Sequence, residues 1–184
     1  MTVELHHLDL DDPRWNTGWL SVDERARAAR YRVASTFPVR RAALRAVLGE
    51  RLGVDPAGVP LVAGPNGKPE LAYGSVSFNA SSSGRRALVA VSDNGPVGID
   101  LEAVVDTGDL VALARRMFAP SELALVERAA DPVAAFYVCW TRKEAVGKAA
   151  GVGLGGVDTV AAAGWRVEAV PAGPGFAAAV AVAV

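Results

Sequence analysis

The sequence predicts an α+β chain of two similar lobes, residues 1–95 and 96–184. Two observations carry that expectation. Helix and strand signals recur in each half although no stretch of sequence repeats, and a polar hinge, Asp93 to Val97, separates the halves. The 184 residues allow one compact domain or two small halves that share an interface.

In chain order, "VELHHLDL" (3–10) reads as a short strand. Ser21 with Glu24 three residues on is a capping-box pattern, opening a helix over "VDERARAARYRV" (22–33). A second helix runs from about Pro38 through "RRAALRAVLGERL". Pro suits its first turn, where the N–H has no helical partner, and Gly53 suits its end. "VPLVAG" (59–64) is a short strand and "GPNGKP" (64–69) a loop dense in turn residues. "SVSFNASSSGRRALVAVS" (75–92) gives a strand, a Ser-rich turn and a second strand with the core "ALVAV". "PVGIDLEAV" (96–104) follows as a strand. Helices cover roughly Gly108 to Phe118 and Pro120 to Ala130. Asp131 caps a long helix, "PVAAFYVCWTRKEAVGKAA", that Gly151 closes. "GWRVEAV" and "GFAAAVAVAV" finish the chain as two strands.

Just over half of the residues are hydrophobic, enough for a sizeable core and against wholesale disorder. A formal net charge of −1 makes no electrostatic case for nucleic acid or an anionic membrane as partner. The single Cys139 excludes an internal disulfide and fits a reducing compartment. No charged-then-apolar leader opens the sequence, and the apolar C-terminal run is far short of the roughly 20 residues a spanning helix needs. A soluble, cytoplasmic protein is expected.

Two stretches could carry chemistry. In "GIDLE", alternation along a strand sends Asp100 and Glu102 to one face and Ile99 and Leu101 to the other, into a core. Adjacent carboxylates repel unless a cation lies between them, and a hard ion such as Mg²⁺ would suit. A simply solvated acidic face is the other reading. In "WTRKEAVGK", Glu144 and Lys148 are four apart on one helical face. That pattern is either an ordinary surface ion pair or a carboxylate and an ammonium aimed at an anionic substrate. Gly147, about 1 kcal/mol worse than Ala inside a helix, suggests that something approaches the backbone closely. Glu144 could then be a metal ligand or a general base, with Lys148 neutralising phosphate charge.

Other constellations fail. Gly151, Gly153 and Gly156 match G-x-G-x-x-G in form, but a helix precedes them where the dinucleotide fingerprint needs a strand. The only histidines, His6 and His7, share the first strand, no G-x-S-x-G occurs, and Cys139 sits among bulky neighbours as a buried, inert thiol. The arginines of the N-terminal third read as surface charge and packing.

In order, the chain carries a "GKP" loop, F-N-x-S-x-S, G-I-D-x-E and W-x-x-K-E-x-x-x-K-x-x-G-x-G-L, between about Leu61 and Leu154. This resembles the 4′-phosphopantetheinyl transferase superfamily, specifically the two-lobed surfactin-type branch that serves carrier proteins of peptide and polyketide synthases. The resemblance implies a pseudodimer of two α/β lobes with the active site in the cleft between them, the first lobe taking the adenine and 3′-phosphate of coenzyme A and the second the metal and catalytic residues. It implies transfer of the phosphopantetheine arm to a serine of an acyl or peptidyl carrier protein, releasing adenosine 3′,5′-bisphosphate. Asp100, Glu102 and Glu144 match the acids that bind Mg²⁺, or Mn²⁺ in its place. Glu144, directly or through a water, matches the group that deprotonates the acceptor serine, and Asp100, Glu144 and Lys148 make up the catalytic set. Coenzyme A contacts carry over to Lys68, Pro69, Asn79, Ser81, Ser82, Lys143 and Lys148. Glu122 matches a family acid at the start of its helix. Two fused lobes imply a monomer.

The chain departs from the family pattern twice. Ser82 stands where the family has a histidine that contacts coenzyme A phosphate; Arg85 or Arg86 could compensate. The segment "YRVASTFPVRRAALR" is a few residues shorter than the family's, so the resemblance does not place the basic contact to the 3′-phosphate; Arg40 and Arg41 are candidates. Two rival readings stand beside transfer: a degenerate relative that binds coenzyme A or a carrier without efficient transfer, and a Mg²⁺-dependent phosphoryl or pyrophosphate hydrolase. The helix "LVALARRMF" offers Arg115, Arg116, Met117 and Phe118 either as a carrier-docking patch or as an amphipathic helix with its apolar face in the core.

Overall fold

The computed structural model describes residues 3–31, 35–64, 67–74, 76–152 and 164–184. The chain divides into two compact units, Met1–Asn94 and Gly95–Val184, and both are mixed α and β.

In the first unit, β1 (Val3–Asp9), β4 (Ser77–Ser83) and β5 (Arg86–Ser92) form an antiparallel sheet in the order β1-β5-β4. Ala90 pairs with Leu5 on one side and Asn79 on the other. Helix α1 (Val22–Ala28) starts at the capping box read from the sequence: Ser21 Oγ accepts from Glu24 N, and Glu24 Oε2 accepts from Ser21 N. It ends about a turn before the expected Val33. The bonds from Arg30 N to Arg27 O and from Tyr31 N to Ala28 O are three-residue ones that tighten the chain out of the helix, and residues 32–34 lie outside the described ones. Helix α2 (Phe37–Leu52) has Pro38 in its first turn and closes on Gly53 at φ +68°. Its Leu44, Val47 and Leu48 are buried with Leu8, Leu10, Phe78, Val89 and Val91 in this unit's core.

Two expectations need correction here. "ASSS" is not a turn but strand: Ser81, Ser82 and Ser83 pair with Leu88, Ala87 and Arg86, so the hairpin loop shrinks to Gly84 and Arg85. Gly84 at φ +58° supplies the left-handed conformation that a two-residue loop demands, and the serines are then free to extend the ladder. The "GKP" loop also ends sooner than read. Pro69–Leu71 is a strand, β3, paired with β2 (Leu61–Ala63), and Pro69 sits at its first position, where its missing N–H is tolerated.

In the second unit, β6 (Val97–Ala103), β7 (Trp165–Ala169) and β8 (Phe176–Ala183) form an antiparallel sheet in the order β6-β8-β7. Helices α3 (Leu110–Met117) and α4 (Pro120–Arg128) precede the long α5 (Pro132–Ala150). Asp131 caps α5 by accepting from Ala134 N, and Gly151 closes it in the left-handed conformation, both as read. One sheet face is made of very small side chains. Gly98 pairs with Ala181, Asp100 with Ala179 and Glu102 with Ala177. Ala179 and Ala181 cluster with Ala145, Val146 and Ala149 of α5. The helix therefore lies close against the strands. A Cβ on Gly98 would stand 2.0 Å from the Ala145 carbonyl oxygen and 2.4 Å from Ala149 N. Ile99 and Leu101, on the opposite face, are fully buried.

The N-terminal half of α5 packs through Phe136 and Cys139 with Leu110, Ala114, Phe118 and Val126. Met117 joins that cluster, so the apolar side of α3 belongs to the core, while Arg115 pairs with Glu127 at 3.0 Å and Arg116 is exposed. No helix among the described residues is long and apolar enough to cross a membrane.

Candidate functional site

The close approach of α5 to β6 brings together three of the predicted residues. Asp100 is 2% exposed, and its Oδ1 accepts from Lys148 Nζ at 2.5 Å. One turn earlier on α5, Glu144 is half-buried. Its carboxyl is pushed above the ordinary value, first by burial and then by the Asp100 carboxylate, while the Lys148 ammonium works in the opposite direction. Two acids thus lie within electrostatic reach of each other, and one ammonium acts on both. The pattern D-x-E…E-x-x-x-K made this grouping possible, and the small-residue face realises it.

Glu102 follows Asp100 on the same face of β6 and is half-buried. Among the described residues no three His, Cys, Asp or Glu side chains converge as a closed metal cage. The donor set nonetheless fits Mg²⁺. That ion takes hard oxygen ligands, needs only one or two carboxylates, and completes its shell with water and substrate phosphates. The charge deficit also fits, because a cation between Asp100 and Glu144 relieves the repulsion that raises Glu144.

Lys143 points elsewhere. Its Nζ lies 3.5 Å from Glu122 Oε2, and the same oxygen accepts from Ala119 N at the start of α4. Glu122 therefore ties the helix start of α4 to α5 next to the Glu144–Lys148 turn. Tyr137, a turn and more upstream, donates its hydroxyl to Val105 O and fastens α5 to the segment that follows β6. Cys139 is buried as read, and burial foremost, then the Glu122 carboxylate, raises its thiol pKa. Gly147 is buried, and Gly153 and Gly156 of the formal glycine motif lie outside the described residues.

The predicted coenzyme A contacts of the N-terminal half all lie in the first unit. Lys68 is half-buried before β3, which Pro69 opens. Asn79 is buried within β4, and Ser81 and Ser82 are half-buried two and three positions on. Ser82 Oγ accepts from Arg40 Nη1 at 2.7 Å, so the serine in the histidine position meets a guanidinium from α2. Arg85 instead pairs with Asp11.

Sequence reasoning passed over one feature of this unit, an arginine cluster around a single carboxylate. Arg45, 2% exposed, bonds Glu24 Oε2 at 2.7 Å and the carbonyls of Pro56 and Val59. Arg41 lies 3.4 Å from Glu24 Oε1. The guanidinium carbons of Arg41 and Arg27 stand 5.5 and 5.1 Å from the Phe37 ring centre. Burial lowers the Arg41 pKa; Glu24 opposes that, and Arg27, Arg45 and Arg40 add to it. Positive charge outnumbers negative here, which suits an anionic ligand. The available signal was the i, i+4 spacing of Arg41 and Arg45 on α2, set against the capping-box glutamate.

A model of the 4′-phosphopantetheinyl transferase superfamily matches residues 96–175, within the unit that holds Asp100, Glu144 and Lys148. The 4′-phosphopantetheinyl transferase HetI of Nostoc sp. is 37% identical over 171 residues, covering 86% of this chain and 72% of that protein. A protein of Synechocystis sp. is 37% identical over 145 residues, 74% of this chain and 59% of its own length. A 4′-phosphopantetheinyl transferase of Bacillus subtilis is 36% identical over 115 residues, 60% of this chain and 50% of its own.

Proposed function

The chain belongs to the 4′-phosphopantetheinyl transferase superfamily, a family of transferases, and on that footing we propose that it moves the phosphopantetheine arm of coenzyme A onto a serine of an apo acyl or peptidyl carrier protein. The reaction depends on Mg²⁺ and releases adenosine 3′,5′-bisphosphate. The same reading makes it a cytoplasmic monomer of the surfactin-type branch, serving carriers of polyketide and peptide synthesis. The single observation that carries the proposal is the meeting of Asp100, Glu144 and Lys148 at the contact of α5 with β6.

The attacking oxygen belongs to the carrier's serine. That oxygen forms a bond to the phosphorus bearing the pantetheine arm, the bridging P–O bond breaks, and the adenosine bisphosphate leaves with the electron pair. Glu144 takes the serine proton, directly or through a water. Lys148 neutralises charge on the phosphate oxygens as it develops. Asp100, Glu102 and Glu144 would hold Mg²⁺, which when bound supplies Lewis-acid stabilisation of the pyrophosphate. In the first unit, Lys68, Pro69, Asn79, Ser81 and Ser82 take the adenine and 3′-phosphate end. Arg40, hydrogen-bonded to Ser82, and Arg41 supply fixed positive charge there. Lys143 is the further cation of the second unit, oriented by Glu122.

Intact mass spectrometry of an apo carrier protein incubated with the protein, coenzyme A and Mg²⁺ tests the proposal, with Glu144→Ala beside it. The expected result is a gain of one phosphopantetheine arm that needs both Mg²⁺ and Glu144. Coenzyme A binding with no gain on several carriers would instead mean a degenerate binder, and phosphate release without any carrier would mean a hydrolase.

A further inference from the structure

We propose that Glu24 is a positioning residue for coenzyme A: with Oε1 it holds the Arg41 guanidinium at the Phe37 ring, ready for the 3′-phosphate, while Oε2 is committed to the fold. The inference rests on the reading above in one respect, that the first unit takes the 3′-phosphate end of coenzyme A.

The carboxylate is fixed before it holds anything. Glu24 Oε2 accepts from Ser21 N at 2.8 Å, inside the capping box of α1, and from Arg45 Nε at 2.7 Å. Arg45 is itself fixed, because its Nη1 donates to Pro56 O at 3.1 Å and Val59 O at 3.0 Å. That leaves Oε1, which stands 3.4 Å from Arg41 Nε. Both side chains are 12% exposed, so water and salt screen the pair little. The Phe37 ring, its centre 5.5 Å from the Arg41 guanidinium carbon, closes another side.

Arg41 needs such a hold. Arg27, Arg45 and Arg40 all repel it, and among the described residues Glu24 is the carboxylate that opposes them. A long side chain released among like charges would swing away, and binding would then have to order it again. With Nε facing Glu24, no hydrogen bond to a described residue uses the two terminal nitrogens of Arg41. A planar guanidinium held in this way presents that terminal pair as parallel donors, which suits phosphate oxygens. Arg27 Nη1 stands 4.0 Å from where a Cβ on Gly67 would lie, so the cluster adjoins the loop that carries Lys68.

Two other roles for Glu24 give different results. A carboxylate acting only through its field would repel the anion, and its removal would tighten binding. One acting only as a helix cap would support stability and leave the affinity of the folded protein unchanged.

The experiment measures binding of coenzyme A and of 3′-dephospho-coenzyme A by calorimetry, for wild type, Glu24→Gln, Arg41→Gln and the double variant. Circular dichroism and thermal melts accompany each. Glutamine keeps one oxygen for Ser21 N and Arg45 Nε and turns an amide donor toward Arg41, so it breaks the hold on Arg41. Glu24→Gln is expected to weaken coenzyme A binding by about tenfold, the order of one charge-assisted hydrogen bond, and to leave dephospho-coenzyme A within about twofold. On the Arg41→Gln background the same substitution should cost nothing further. Glu24→Asp keeps a charge beside Arg45 but is a methylene too short to reach both partners, and should show the same selective loss. Folded variants at position 24 that bind coenzyme A as wild type does, or more tightly, overturn the proposal, as does a loss that persists without Arg41. Equal affinity of wild type for the two ligands overturns it too, since no 3′-phosphate contact would remain to be positioned. Carrier modification by the wild type runs in parallel. Its failure would remove the transferase reading, while the binding comparison would still decide the role of Glu24.

Discussion

Gly98→Ala tests the geometry on which the site depends. The added Cβ would start 2.0 Å from the Ala145 carbonyl oxygen, 2.4 Å from Ala149 N and 3.0 Å from Ala149 Cβ. The first two are backbone atoms inside α5, so no side-chain rotation relieves them. Real Cβ contacts stay beyond 3.0 Å, so α5 must retreat from β6 by at least the difference between 2.0 and 3.0 Å, about 1 Å. Overpacking of this kind costs about 1–3 kcal/mol. Restricting the unfolded chain returns roughly 0.4–1 kcal/mol of that. At roughly 2–4 °C per kcal/mol for a chain of this size, the net loss lowers the melting temperature by at most about 10 °C. Catalysis should suffer more. Glu144 and Lys148 ride on the displaced helix and Asp100 stays on the strand, and a misplacement near 1 Å can lower a rate about 100-fold. The assay pairs thermal melts with initial rates of carrier modification by mass spectrometry. Gly53→Ala serves as control: Gly53 is at φ +68° at the far end of α2 with open space around it, so it should lose about 1 kcal/mol of stability with no comparable loss of rate. A Gly98→Ala protein that melts within a degree of wild type and transfers within twofold of it would refute the reasoning.

Three further outcomes are expected. Glu24→Ala leaves Arg45 charged and buried without its carboxylate, which costs about 3–5 kcal/mol and lowers the melting temperature by roughly 6–20 °C; removing both charges with Glu24→Leu and Arg45→Met should recover most of it in the same melts. Cys139, buried and with its thiol pKa raised, should react slowly with a disulfide reagent at pH 7.5 in the native protein and at once in denaturant; rapid native labelling would contradict its placement. The folded-state pKa of Glu144 lies above 4.5, so between that value and the raised one the native state holds more protons than the unfolded state, and stability falls as pH rises through the window. Melts of the metal-free protein from pH 4 to 8 should show Glu144→Gln gaining on wild type across that window, while carrier modification drops about 10²–10⁴-fold; parallel melting curves would count against the shift.

Local signals were legible where the chemistry that sets them lies within a few residues. Ser21 with Glu24, Asp131 with Ala134 and Gly53 after α2 all appear as read, because capping bonds span at most one turn. The Ser81–Ser83 run misled for a related reason. Serine favours turns only when nothing better is offered, and here Gly84 takes the left-handed position and hands the serines to a full ladder with β5. The Arg41 and Arg45 contacts were hidden because their partner, Glu24, belongs to a different helix. Asp100 and Lys148 are separated by 48 residues, and neither strand alternation nor helical spacing can say that they touch. What joins them was nevertheless written in the sequence in a form that has meaning only once the layers are known. Gly98 reads as a weak strand residue and the run "FAAAVAVAV" as a featureless apolar strand. Paired in register, they make a face so shallow that a helix can rest on it, and the first side chain on that face of β6 long enough to meet Lys148 is Asp100. In "GID" the glycine sets the distance and the aspartate uses it, so a substitution at Gly98 should be felt as chemistry before it is felt as folding.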